Sequence, residues 1–184
     1  MSEPSTPQDI IEFWYGERMR QRWFSSTPEL DAEIRSKYEN LWLQAGNGAL
    51  DDWKASPEGC LALAVILDQF PLNMFRGEAK SFSTEQQAVA CSKYCIAQGY
   101  DRKIPQDRVA FLYMPLMHSE NLADQDLAVQ LFERANLAHN LHFARHHREL
   151  IRRFGRFPHR NSILGRDSSA EEIAYLNSKE AFLG

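Results

Sequence analysis

Lysine is scarce in this 184-residue chain and absent from residues 139–166. That segment holds seven of fifteen arginines (Arg145, Arg148, Arg152, Arg153, Arg156, Arg160 and Arg166), five of six histidines and one acid, Glu149. Arginine is favoured over lysine where a planar fork must grip a carboxylate or phosphate. The acceptors are either the protein's own acids or a foreign anion. Long apolar runs are also missing. The longest, Leu61–Leu67, falls far short of the roughly 20 residues that span a bilayer, so no membrane partner is expected. The opening MSEPSTPQD lacks the basic start and apolar stretch of a signal peptide, which points to a cytoplasmic protein. With three cysteines there is no disulfide framework. A net charge of −4 and a pI near 5.9 tell against a nucleic-acid binder, despite the local basic segment.

Strand signals are missing as well, since no segment sustains an apolar–polar alternation. What the chain has is helical punctuation. Thr6-Pro7, Thr27-Pro28 and Ser56-Pro57 each set a capping hydroxyl before a proline suited to the first helical position. Gly16, Gly46, Gly99 and Gly155 stand where periodic segments stop. Helices are expected near 7–15, 28–45, 57–70, 84–98, 105–114, 121–138, 141–154 and 169–179. The fold class is all-α, a single domain over 1–184 with residues 1–5 as a loose tail. The stretch CLALAVIL at 60–67 is apolar all round and belongs at the buried centre.

Three places could carry chemistry. Asp68, with Gln69, follows the apolar run, where the helix dipole and poor solvation both oppose a carboxylate. It is expected to be buried and tied to Arg76, Arg108 or an arginine of 152–160, or else to act as a site acid. His118, Ser119 and Glu120 lie at a helix junction after FLYMPLM, with Ser119 or Asn121 as a cap and His118 as a proton carrier or a structural residue. A Ser119–His118–Asp68 triad lacks any nucleophile elbow. In the arginine segment, Arg153, Arg156 and Arg160 with His159 form a candidate anion site. The helix there should bury Phe143, Leu150, Ile151 and Phe154, with His147 at the edge. The pairs Cys91/Cys95 and His142/His146 have metal-ligand spacing but no complete ligand set, so neither a metal nor another cofactor is expected.

The motifs LALAVILDQFPLNMFRG, FLYMPLMHSE and RRFGRFPHRNSILGR, with DIIEFWYGE near the start, resemble the bacterial family catalogued as domain of unknown function 924. The resemblance covers nearly the whole chain. It implies a tetratricopeptide-like stack of antiparallel helices and carries over no catalytic residue. Two functions stay open: a binding module for an anionic small molecule or a peptide carboxylate, and a small hydrolase or transferase using Asp68, His118, Glu120 and arginines. Fold alone does not choose between them.

Overall fold

Three hydroxyl–proline pairs start helices where expected. Thr6, Thr27 and Ser56 hold extended backbone and accept hydrogen bonds from the N–H groups of Asp9, Leu30 and Gly59. Each following proline loses no hydrogen bond, because first-turn N–H groups have no partner inside the helix. The computed structural model describes residues 5–182, so most of the expected tail (residues 1–4) lies outside the described residues. The helices run in the order α1 (Pro7–Tyr15), α2 (Glu17–Arg20), α3 (Pro28–Gly46), α4 (Pro57–Ala64), α5 (Phe70–Met74), α6 (Glu85–Ala97), α7 (Ala110–His118), α8 (Leu122–Arg134), α9 (Ala138–Phe154) and α10 (Ala170–Leu176). Among the described residues there is no strand, and the protein is all-α. Gly155, at φ 71°, ends α9 as expected. At the end of α3 it is Gly48, at φ 79°, that turns left-handed, while Gly46 remains helical.

Contacts among the described residues define two compact units: one holds the residues up to 76 with 80–115, the other 77–79 with those from 116 onward. In the first unit α4 is central, with α1 and α6 packed on it and α3 along α5. The whole run Leu61–Leu67 is buried. Fully burying one such aliphatic side chain contributes roughly 1.5–3 kcal/mol. Trp14, Tyr38, Phe70 and Phe111 extend this core through tilted, stacked and edge-on ring contacts.

Between α4 and α5, residues Val65–Gln69 form a π-helical turn. Its cause is Pro71. The Leu67 carbonyl would normally accept from the N–H of residue 71, but proline has none and its ring crowds that carbonyl. The helix widens, and the Phe70 N–H reaches back to the Val65 carbonyl. The Thr84 hydroxyl takes over the orphaned acceptor, donating to Leu67 O at 2.6 Å while accepting from Trp42 Nε1 at 3.0 Å. Asp68 and Gln69 sit on this widened turn.

A second proline corrects an expectation. The helix foreseen at 105–114 instead begins at Ala110 and runs through Pro115 to His118. Its residues are apolar on all sides, and Leu112, Leu116 and Met117 are all buried. Burial on every face outweighs the one backbone bond that Pro115 removes.

The second unit is built on α8 packed against α9. Leu150, Ile151, Phe157 and Tyr175 form its buried cluster, with Phe154, Leu176 and Phe182 against it. The expected stripe on α9 holds at Leu150, Ile151 and Phe154 and differs at its start. Phe143 is 36% exposed, whereas His147 is only 4% exposed. Its Nδ1 lies 2.8 Å from the Phe143 carbonyl, which satisfies one ring nitrogen of the buried imidazole.

Candidate functional site

The arginine segment leaves α9 at Gly155, passes a 3₁₀ turn at Pro158–Arg160 and reaches α10 through further turns at 161–165 and an irregular stretch. A chain this irregular needs its backbone groups satisfied by side chains, and Glu120 and Arg166 supply much of that. Arg166 grips both oxygens of Glu120, Nη1 on Oε2 at 2.7 Å and Nη2 on Oε1 at 2.9 Å. Glu120 also accepts the Phe157 N–H at 2.8 Å, and Arg166 donates to the Phe157 carbonyl at 3.2 Å and to Asn161 Oδ1 at 2.9 Å. Burial pushes the Glu120 carboxyl upward, but these donors outweigh it and hold the group below the usual glutamate range. Glu120 is therefore an anion at neutral pH with both oxygens engaged.

Arg160 is 6% exposed, lies 4.6 Å over the Phe157 ring and donates to the His118 carbonyl at 2.9 Å. That carbonyl closes α7, where a cation meets the negative end of the helix. Ser119 donates to Asp124 Oδ2 at 2.8 Å and accepts from the Asn121 N–H, while Asn121 caps α8. The hydroxyl considered for a triad thus serves the α7–α8 turn. Gln125, fully buried, completes that turn by donating to the carbonyls of Met117 and Ser119, both at 2.7 Å. Nothing in the local pattern marked Gln125, since one polar residue inside an amphipathic helix reads as surface.

Arg153 and Arg156 come together, and Arg160 and His159 do not join them. A shallow depression of about 390 Å³ is lined by Arg153, Phe154, Arg156, Ser169, Glu171 and Glu172. Arg156 grips Glu172 through Nε (2.7 Å) and Nη2 (2.9 Å), and Nη2 also meets the Asp167 carbonyl. Glu172 further accepts the Ser169 N–H at 2.8 Å, closing a capping box on α10. Arg156 first, then the Ser169 N–H and Asn161, lower its carboxyl to about 2 against some opposition from burial. Arg153 reaches Glu171 at 2.9 Å. Elsewhere Arg145 meets Glu133, Arg148 meets Asp126 and Arg152 meets Glu149. Apart from Glu149, the local excess of positive charge is thus answered by Glu120 and by acids on α8 and α10, outside the segment in which it was counted.

In the first unit Asp68 is 5% exposed, and Gln69 Nε2 donates to its Oδ2 at 2.5 Å. Arg76, one of the cations considered for it, pairs with Asp31, which also accepts from Asn73 and Ser26. Arg108 lies over the Tyr15 ring. Cys60, Cys91 and Cys95 are all buried thiols. Among the described residues no group of three or more His, Cys, Asp or Glu side chains is arranged to hold a metal ion.

The second unit should weaken steadily on acidification. Burial lowers His147 to about 3 and His159 to about 4, so between pH 6.5 and these values an unfolded chain binds protons that the folded one refuses. Stability then falls as pH drops. Glu172 acts in the same sense lower down, its contribution vanishing between about pH 4.5 and 2. Unfolding midpoints should decline from pH 6.5 downward, and a flat profile between pH 7 and 5 would contradict the buried neutral imidazoles.

This geometry defines an all-α protein whose second unit is cross-tied by arginine–carboxylate pairs. Residues 10–180 match the family described as "Bacterial protein of unknown function (DUF924)", and the chain belongs to that family. A solved structure of a protein of unknown function from Agrobacterium tumefaciens is similar, with 36% identity and a TM-score of 0.88, over 93% of this chain and 96% of that one. Comparison with curated proteins gives no match. Among the described residues no helix is long and apolar enough to cross a membrane.

Proposed function

We propose that this protein is a binding module for an anionic small molecule or a peptide carboxylate, taken up in the depression between α9 and α10 with Arg153 and Arg156 as its cations. The observation that carries this reading is the unequal hold on two neighbouring guanidiniums. The Glu172 side chain is 3% exposed and fixes Arg156, whereas Arg153 and Glu171 are 44% and 62% exposed. An exposed pair contributes roughly 0–1 kcal/mol, so a ligand carboxylate or phosphate can take the place of Glu171 at small cost. Arg156, set by Glu172 through Nε and Nη2, keeps Nη1 for the same ligand. Arg160 and His159, the other residues expected in an anion site, do not line this depression and have no part in the reading.

The proposal keeps a cytoplasmic setting and no nucleic-acid partner, in line with the pairing of the segment's cations by internal acids. No comparable observation supports a hydrolase or transferase working through Asp68, His118 and Glu120, because Glu120 is committed to Arg166 and Phe157. The test is thermal unfolding with inorganic phosphate, citrate and an acidic peptide. A ligand at 100 times its dissociation constant stabilises by about 2.7 kcal/mol, or roughly 5–10 °C for a protein of this size. Arg153→Ala should abolish the shift with little change in the unliganded midpoint. Arg156→Ala serves less well, since it strips a buried carboxylate of its partner. No shift from any anion at millimolar concentration, or a shift that survives Arg153→Ala, rules the reading out.

A further inference from the structure

Beyond α10 the chain turns back, and Phe182 comes to rest among three imidazoles of its own unit. Its ring centroid lies 4.7 Å from His147, 5.1 Å from His159 and 6.3 Å from His146, each in an edge-on arrangement. Phe157 backs two of these rings, at 5.3 Å from His147 and 5.5 Å from His159. The segment turns through the Ser178 N–H on the Tyr175 carbonyl and the Ala181 N–H on the Ser178 carbonyl, and the Phe182 N–H donates to the Tyr175 hydroxyl at 2.8 Å, with His146 Nε2 3.4 Å from the same hydroxyl. Residues 177–180, between α10 and this seat, are all exposed. The ring is thus delivered to the edge of the buried cluster by a short exposed strap.

One of these imidazoles carries a polar defect. His159 Nδ1 is buried and has no hydrogen-bond partner among the described residues. A phenyl ring cannot supply one. Buried polar atoms in native proteins nearly always have a partner, and leaving one unmet costs free energy. Burial, then the nearby Arg160 charge, lower His159 to about 4, so near neutral pH its ring is neutral and Nδ1 is available to accept or donate a single hydrogen bond.

We infer that the Phe182 seat is a ligand site for a planar aromatic ring carrying one hydrogen-bonding atom, a phenol or an indole, with the chain's own phenylalanine as its resident occupant. Three imidazoles and Phe157 give the ring its walls, and His159 Nδ1 gives the polar atom its partner. A ligand of this class displaces the strap after α10 and meets the bond that Phe182 leaves unmade. The site is separate from the Arg153–Arg156 depression, so either can fail without the other.

The experiment empties the seat and refills it. Phe182→Ala removes the resident ring at the edge of the unit, and phenol and toluene are then titrated while the imidazole nitrogens are followed by ¹⁵N NMR. Phenol should bind Phe182→Ala more tightly than the parent chain and move the His159 Nδ1 resonance. It should also bind more tightly than toluene by roughly three- to tenfold, the scale of one net hydrogen bond. A dry apolar seat prefers the more hydrophobic toluene, so the order of the two probes is diagnostic. Should Phe182→Ala lose its fold, Phe182→Leu repeats the test with the apolar contact partly kept. Toluene binding as well as phenol, a His159 signal that does not respond, or no binding of either probe would each overturn the proposal.

Discussion

Arg166→Met should lower the unfolding free energy by about 3 kcal/mol, read as a shift of the urea midpoint at pH 7. Among the described residues Arg166 is the only cation hydrogen-bonded to Glu120, and their side chains are 23% and 26% exposed. Methionine keeps most of the volume but leaves the carboxylate with only the Phe157 N–H. Breaking a fully buried pair typically costs about 3–5 kcal/mol, and partial exposure sets the expectation at the lower end. The same guanidinium also holds the Phe157 carbonyl and Asn161, so Arg166→Lys should recover less than half of the loss. Glu120→Gln combined with Arg166→Met should be milder than the sum of the two, because the stranded charge is gone. A loss below about 0.5 kcal/mol in Arg166→Met, the scale of an ordinary surface change, contradicts the latch.

Gln125→Leu should cost a similar amount, about 2–5 kcal/mol. Gln125 is fully buried and its amide donates to two carbonyls at the end of α7. Leucine fills the space and supplies no donor. Each carbonyl stranded out of water costs about 1–3 kcal/mol. The loss should appear in equilibrium unfolding, with far-ultraviolet circular dichroism of the folded state unchanged. A variant as stable as the parent would mean that water reaches those carbonyls.

Helix starts were legible because their causes are local. A hydroxyl and a proline one residue apart settle Thr6, Thr27 and Ser56 without help from the rest of the chain. Prolines inside apolar stretches were not legible in the same way. Pro71 opens a π turn whose Leu67 carbonyl is met by the distant Thr84, and Pro115 is carried within α7 by burial on every face, and no window around either proline contains those causes. Thr84 itself looks like an N-cap for α6, but its hydroxyl serves the Leu67 carbonyl and makes no capping bond.

The candidate site shows the same limit in electrostatic form. Seven arginines against one acid is a true count of residues 139–166, yet Glu120, Asp126, Glu133, Glu171 and Glu172 all stand outside that window. Neutralisation depends on distance in space, and helix packing brings those acids within reach. What sequence could name was the residue type, the guanidinium fork. Which forks are locked and which can exchange depends on burial, 3% for Glu172 against 62% for Glu171.

The most direct measurement is the affinity of one anion, citrate or whichever binds best, for the parent chain and for Glu171→Gln by titration calorimetry. If Glu171 occupies the ligand's place on Arg153, removing its charge should tighten binding by roughly two- to fivefold, up to the 0–1 kcal/mol that an exposed pair holds. Arg153→Ala should abolish binding in both backgrounds. Equal affinity for parent and Glu171→Gln, or binding that persists without Arg153, contradicts the account.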